Sequence, residues 1–219
     1  MKEIALLHTV RTVVDTFGPA LTEYLGGDVK LYNQWDEFLA VNPNEVGEFT
    51  LANKNRLFLD LKAAEMTGAD LILVTCSTLT PHLNAIRKFV GTPIVAIDDA
   101  MTKKAVACGE KILVLATAES TVQGTMDKVY EDAAAAGKKV TVESMVVTEA
   151  FYAMKANDME THDRLVRLAV KDLKGYDCVV LAQASMAHLE SYIQGSTGIT
   201  TLSSPRLCME QVKEMLEAM

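Results

Sequence analysis

Short apolar runs alternate along the chain with longer stretches in which apolar residues recur every three or four positions. The runs are residues 3–7, 29–32, 71–74, 94–97, 112–117, 140–147, 178–183 and 199–202. Most are too brief for a lone helix and apolar at nearly every position, which predicts strands buried on both faces. The helical stretches cover 13–25, ended by Gly26 and Gly27, and 50–67, ended by Gly68. Others open at Pro81 and Asp98, follow Thr121 to about Gly137, and cover 149–156 and 158–174. Ser203, Ser204 and Pro205 give an N-cap and a first-turn proline for a closing helix. Asp98 suits the N-cap of a helix over 100–107 better than the role of a free carboxylate. Residues 33–47, with Trp35 and a turn at 42–44, predict a packed loop with short helical pieces rather than a lid. Strands that alternate with helices imply parallel sheets covered on both faces, an α/β chain.

The pattern occurs twice. Gly68, Asp70, a buried strand, then Cys76, Ser77, Thr78 and Leu79 match Gly175, Asp177, a buried strand, then Gln183, Ala184, Ser185 and Met186, at an offset of 107. The segment at 2–9 matches that at 110–117 at an offset of 108. Two segments at almost one offset predict two pseudosymmetric lobes, residues 1–96 plus 203–219 and residues 97–202, with Cys76 and Gln183 on opposite walls of a cleft. At 219 residues each lobe has enough chain to bury a core.

Charge removes some functions. A formal charge of −8 and scattered Lys and Arg give no basic stripe for nucleic acid. No run approaches membrane-spanning length, and the N-terminus lacks the flanks of a signal peptide. The four cysteines, Cys76, Cys108, Cys178 and Cys208, show neither zinc spacing nor a secreted disulfide framework. A cytoplasmic protein with reduced thiols is expected. No histidine and carboxylate share ligand spacing on one helix, so no metal is expected. No phosphate- or dinucleotide-binding glycine loop is present.

The chemistry concentrates where residues 71–74 end in Thr75, Cys76, Ser77 and Thr78 ahead of Pro81. The carboxyl end of a parallel strand is where α/β proteins place ligands, and a following helix offers free N–H groups to an anion. A thiol there is biased toward thiolate. Cys178 lies inside a strand, and Cys108 and Cys208 lie on helical patterns, so these three are read as packing residues. His82 and His188 are read as helix-face residues.

The turn at 75–78, the strand end at 115–121, the segment at 181–189 and the Ser-Ser-Pro turn at 203–205, in that order, resemble the aspartate/glutamate racemase superfamily. That superfamily also holds hydantoin racemases, maleate isomerases and arylmalonate decarboxylases. The resemblance implies two α/β lobes with the active site between them, no cofactor, and a small carboxylate as substrate. Relatives commonly pair, which leaves a homodimer open. Cys76 falls on the first-lobe catalytic cysteine. Ser77 and Thr78 fall where hydroxyls and N–H groups hold a substrate carboxylate, and Thr117 and Thr121 fall near the second lobe's hydroxyls. Ala184 and Ser185 follow the position of the second catalytic cysteine. That position is Gln183.

Racemisation by two bases needs a group on each face that exchanges a proton near neutral pH. An amide does not, although it can hold an oxygen as charge develops there. Three readings follow. The chain is a racemase or epimerase with Glu119 or His8 as second acid/base; or a one-cysteine decarboxylase, lyase or cis-trans isomerase; or a carboxylate-binding protein without chemistry.

Overall fold

The computed structural model describes residues 1–219. The chain divides into two compact units, Met1–Ile97 with Cys208–Met219, and Asp98–Leu207.

In the first unit the strands are β1 (Lys2–His8), β2 (Val29–Trp35), β3 (Leu71–Val74) and β4 (Ile94–Ala96), all parallel, in the order β2-β1-β3-β4. The helices between them are α1 (Arg11–Tyr24), α2 (Phe38–Val46), α3 (Leu51–Glu65) and α4 (Thr80–Arg87). Successive strand residues point to opposite faces. Ala5, Leu7, Ile72, Val74 and Ala96 therefore pack on one side with Leu57 and Leu61 of α3 and Leu83 of α4. Ile4, Leu6, Leu71, Leu73 and Val95 pack on the other, with Phe17 and Leu21 of α1 and with Cys208 and Val212.

The second unit builds the same sheet again. It holds α5 (Asp99–Cys108), β5 (Lys111–Ala116), α6 (Val122–Ala135), β6 (Thr141–Val146), α7 (Thr148–Lys155), α8 (Met159–Ala169), β7 (Cys178–Leu181), α9 (Glu190–Thr197) and β8 (Thr200–Ser203). The order β6-β5-β7-β8, again parallel, is that of the first sheet. Ile112, Val114, Cys178 and Val180 face α5 and α6, whereas Leu113, Leu115, Val179 and Leu181 face α7, α8 and α9. The closing helix α10 (Ser204–Ala218) begins in this unit and ends in the first.

The repeated Gly and Asp serve the same task in both units. Gly68 and Gly175 turn the chain with φ of +79° and +81°, a region open to glycine at little cost. Asp70 then accepts from the Glu3 N–H through Oδ2 at 2.8 Å. Asp177 accepts from both Glu110 and Lys111 N–H at 2.9 Å. Each carboxylate thus closes the amino end of the central pair of strands, opposite the end where the site residues lie. The Lys111 and Glu110 N–H groups hold the Asp177 carboxyl below its usual range.

Two sequence expectations are corrected. Residues 33–35 extend β2 instead of starting a loop, and 38–46 form a helix running through Pro43. β2 lies at a sheet edge, where a half-exposed strand accepts Asn33 and Gln34 beyond the run at 29–32. Asp98 does stand at the N-cap of α5, but its side chain makes no capping bond. Its backbone is already helical (φ −93°, ψ −10°), unlike the extended backbone that aims a cap at the first turn.

Candidate active site

Both sheets end, at the carboxyl edge of their two central strands, in a pair of turns. In the first unit the register that sets Leu7 beside Val74 carries His8 and Thr9 on beside Thr75 and Cys76. The Thr75 N–H donates to Leu7 O at 3.0 Å, which continues that pairing beyond the strand. The peptide then turns, with Leu79 N–H on Cys76 O at 3.0 Å and Thr80 N–H on Ser77 O at 3.2 Å, directly into α4. Cys76 is partly exposed and leans on the α3 and α4 side of the core; Ser77 is partly exposed and Thr78 is exposed.

His8 is fully buried, and both its ring nitrogens are engaged. Nδ1 lies 2.7 Å from Thr75 Oγ1 and Nε2 3.1 Å from Asn33 Oδ1. Burial pushes its pKa below the ordinary histidine value, against the hydrogen bond to Asn33. The ring therefore fixes the Thr75 turn from beneath. Thr9, the next residue, is buried with its hydroxyl unpartnered.

The second unit places Thr117 beside Gln183 by the same register. Here the amide fills the turn. Gln183 Oε1 accepts from Thr117 N–H at 2.6 Å, Ala118 N–H at 3.0 Å and Thr117 Oγ1 at 3.0 Å. Two consecutive N–H groups and a hydroxyl aimed at one oxygen make a small anion nest, and the chain's own carbonyl occupies it. This assigns the amide: the oxygen is inside, so the NH2 is the end left to meet a ligand.

The other expected residues divide. Thr117 is fully buried and its hydroxyl is committed to Gln183. Thr121 donates its hydroxyl to Ala118 O at 2.9 Å. Glu119 lies on an exposed single turn of 3-10 helix, Glu119–Thr121. Ala184 and Ser185 are exposed at the start of a second 3-10 segment, Ala184–Leu189. The nest itself was missed by sequence reasoning, because its parts lie 65 and 66 positions apart; the doubled offset between the strand ends is the signal that pairs them. His82 stacks on Phe49 at 3.9 Å between ring centroids.

Residues 48–212 match the model of the Asp/Glu/Hydantoin racemase family. The chain belongs to that family. Its racemase fold is found in a putative Asp/Glu racemase from Yersinia pestis, at a TM-score of 0.75 and 15% identity over 98% of this chain and 99% of that one. A glutamate racemase isoform from Bacillus anthracis matches at 0.67 and 15%, over 99% and 82% of the two chains. An allantoin racemase from Klebsiella pneumoniae matches at 0.64 and 13%, over 100% and 89%. No curated protein matches the chain in sequence. As a racemase-family member the chain is an isomerase. No helix of the chain is long and apolar enough to cross a membrane.

Proposed function

We propose that this chain is a cofactor-independent racemase or epimerase of a small carboxylate, with Cys76 as the reacting acid/base and Gln183 as a hydrogen-bond donor. The observation that carries the proposal is the nest. With Oε1 held by three donors, the Gln183 NH2 is a fixed donor suited to a carboxylate oxygen. In this reading the Cys76 thiolate removes the proton next to the carboxylate. Negative charge then builds on the carboxylate oxygens, where a preorganised N–H stabilises it most. Glu119, exposed at the β5 strand end, returns a proton to the other face; thiol and carboxylate reset by exchange with water. Glu119 suits that task better than His8, whose two nitrogens are both engaged. The amino and hydroxy acids of racemase chemistry form the substrate class, and the glutamate and aspartate racemases of like fold make those the first acids to test.

A second reading draws on the same glutamine. One sulfur and one non-titrating amide at the two corresponding turns also suit a one-cysteine enzyme, which protonates an enolate after loss of carbon dioxide or isomerises a double bond. Incubation of candidate acids in heavy water separates these. Inversion with deuterium at the reacting carbon of the intact acid supports the racemase, and carbon dioxide release supports the decarboxylase. Binding with neither leaves a carboxylate receptor. Cys76→Ala should abolish turnover in the first two cases; turnover unchanged in that variant would remove Cys76 from the mechanism.

A further inference from the structure

A second group of ligand atoms lies in the second unit, apart from Cys76. His162 and Asp163 are consecutive on α8, and His188 sits in the 3-10 segment that follows Gln183. His162 Nδ1 lies 2.8 Å from Asp163 Oδ1. His188 Nε2 lies 2.8 Å from that same oxygen and 2.9 Å from Oδ2. One donor atom from each residue falls within 4.8 Å of the other two.

The plain account is a carboxylate shared by two imidazoles. Burial raises Asp163, and the bonds from His162 and His188 outweigh it and hold the carboxyl below its usual range. That account leaves unexplained why a fully buried imidazole and an exposed one, from two separate elements, aim nitrogens at one oxygen. The two nitrogen-to-oxygen edges of 2.8 Å are shorter than the ~3.4 Å between neighbouring donors around a tetrahedral ion bound at about 2.1 Å, so the three groups need only spread by about half an ångström to admit one.

We propose that His162 Nδ1, the Asp163 carboxylate and His188 Nε2 form a binding site for a late first-row divalent cation such as zinc. Two imidazoles and one carboxylate suit zinc, cobalt, nickel or ferrous iron and are a poor match for magnesium or calcium, which take oxygen ligands. Burial fixes the His162 ring before an ion arrives. Asp163 and His188, with side chains 22% and 45% exposed, leave a path from solvent and room for water to complete the shell. A bound ion ties α8 to the turn that carries Gln183. It does not depend on the reaction assigned to Cys76.

The test is cobalt binding by the full-length chain, stripped with chelator and dialysed, followed by visible absorption and thermal midpoint. One cobalt per chain is expected, with a higher midpoint and no thiolate-to-metal band, and zinc should displace it. Losing an outer partner of a metal ligand already costs roughly 10–100-fold in affinity, so His188→Ala and Asp163→Asn should each weaken binding by more than about 100-fold. Both residues reach solvent, and circular dichroism confirms that the variants fold. No saturable binding by the parent chain, equal binding by His188→Ala, or a thiolate band overturns the site. The readout is binding, so it fails or stands separately from racemase activity.

Discussion

Gln183 is an amide whose oxygen has a structural task and whose nitrogen is, in the function proposed here, the donor to substrate. Its oxygen satisfies three donors that would otherwise be left at a strand end, and its nitrogen faces outward as a result. Gln183→Glu keeps an acceptor in the nest, because a carboxylate oxygen takes the same three bonds, but replaces the outward NH2 with negative charge. Thermal stability should then hold while carboxylate affinity falls at least tenfold; calorimetry and a melting curve on the same sample check both. Gln183→Leu removes the acceptor as well, and each donor that water cannot reach costs about 1–3 kcal/mol. Urea unfolding should show that loss. Gln183→Cys tests whether a second thiol restores two-base racemisation. The repeat paired this position with Cys76, but could not show which end of the amide is free, since that depends on N–H groups 65 and 66 residues away.

At the scale of elements, the strands were legible because a parallel strand buried on both faces has to be apolar throughout, as in Leu71–Val74 and Cys178–Leu181. β2 was only partly legible because its edge position permits polar side chains. The charged contact between α5 and α6 gave no signal at all. Lys128, only 5% exposed, pairs with Asp132 Oδ1 at 2.6 Å and Asp99 Oδ1 at 3.4 Å, while Thr102 Oγ1 donates to Asp132 Oδ2 at 2.5 Å. Nothing in the spacing shows that Asp99 joins the i,i+4 pair of Lys128 and Asp132. Lys128→Met should cost about 3–5 kcal/mol by leaving two buried carboxylates without their cation. Lys128→Met with Asp132→Leu should recover part of it, measured by denaturant unfolding. Gly109 is constrained from the same region: a Cβ there would lie 2.4 Å from Asp177, so Gly109→Ala should displace the carboxylate that closes β5 and β7.

Over the whole molecule, two groups give stability a pH profile with opposite slopes. Burial, and then Asp36, pushes the Asp60 carboxyl up to about 7. Its Oδ1 accepts from Gln34 at 2.8 Å, whereas Oδ2 is buried with no donor, so a proton there is favoured. The folded chain then holds a proton that the unfolded chain releases near 3.8, and stability declines as pH rises from about 3.8 to about 7. Asp60→Asn should flatten that decline. His8 acts in the other direction. Its pKa lies below 6.5 in the folded chain, so the unfolded chain takes up the proton first and stability is lost as pH falls below 6.5. Urea midpoints across this range, with and without Asp60→Asn, separate the two.

The doubled sheet order was legible as a repeat because Gly and Asp do identical work before each central strand. The two sites diverged on that common frame at single positions, Cys76 against Gln183.

The four cysteines are all free, but Cys178 and Cys208 are buried while Cys76 and Cys108 reach solvent. An alkylating reagent added to the native chain should therefore count two thiols, and four in urea, by mass. Cys108→Ser leaves Cys76 as the one native handle. A dye or nitroxide placed there then reports directly on the turn proposed to do the chemistry, and a substrate that protects it from labelling identifies itself before any turnover is measured.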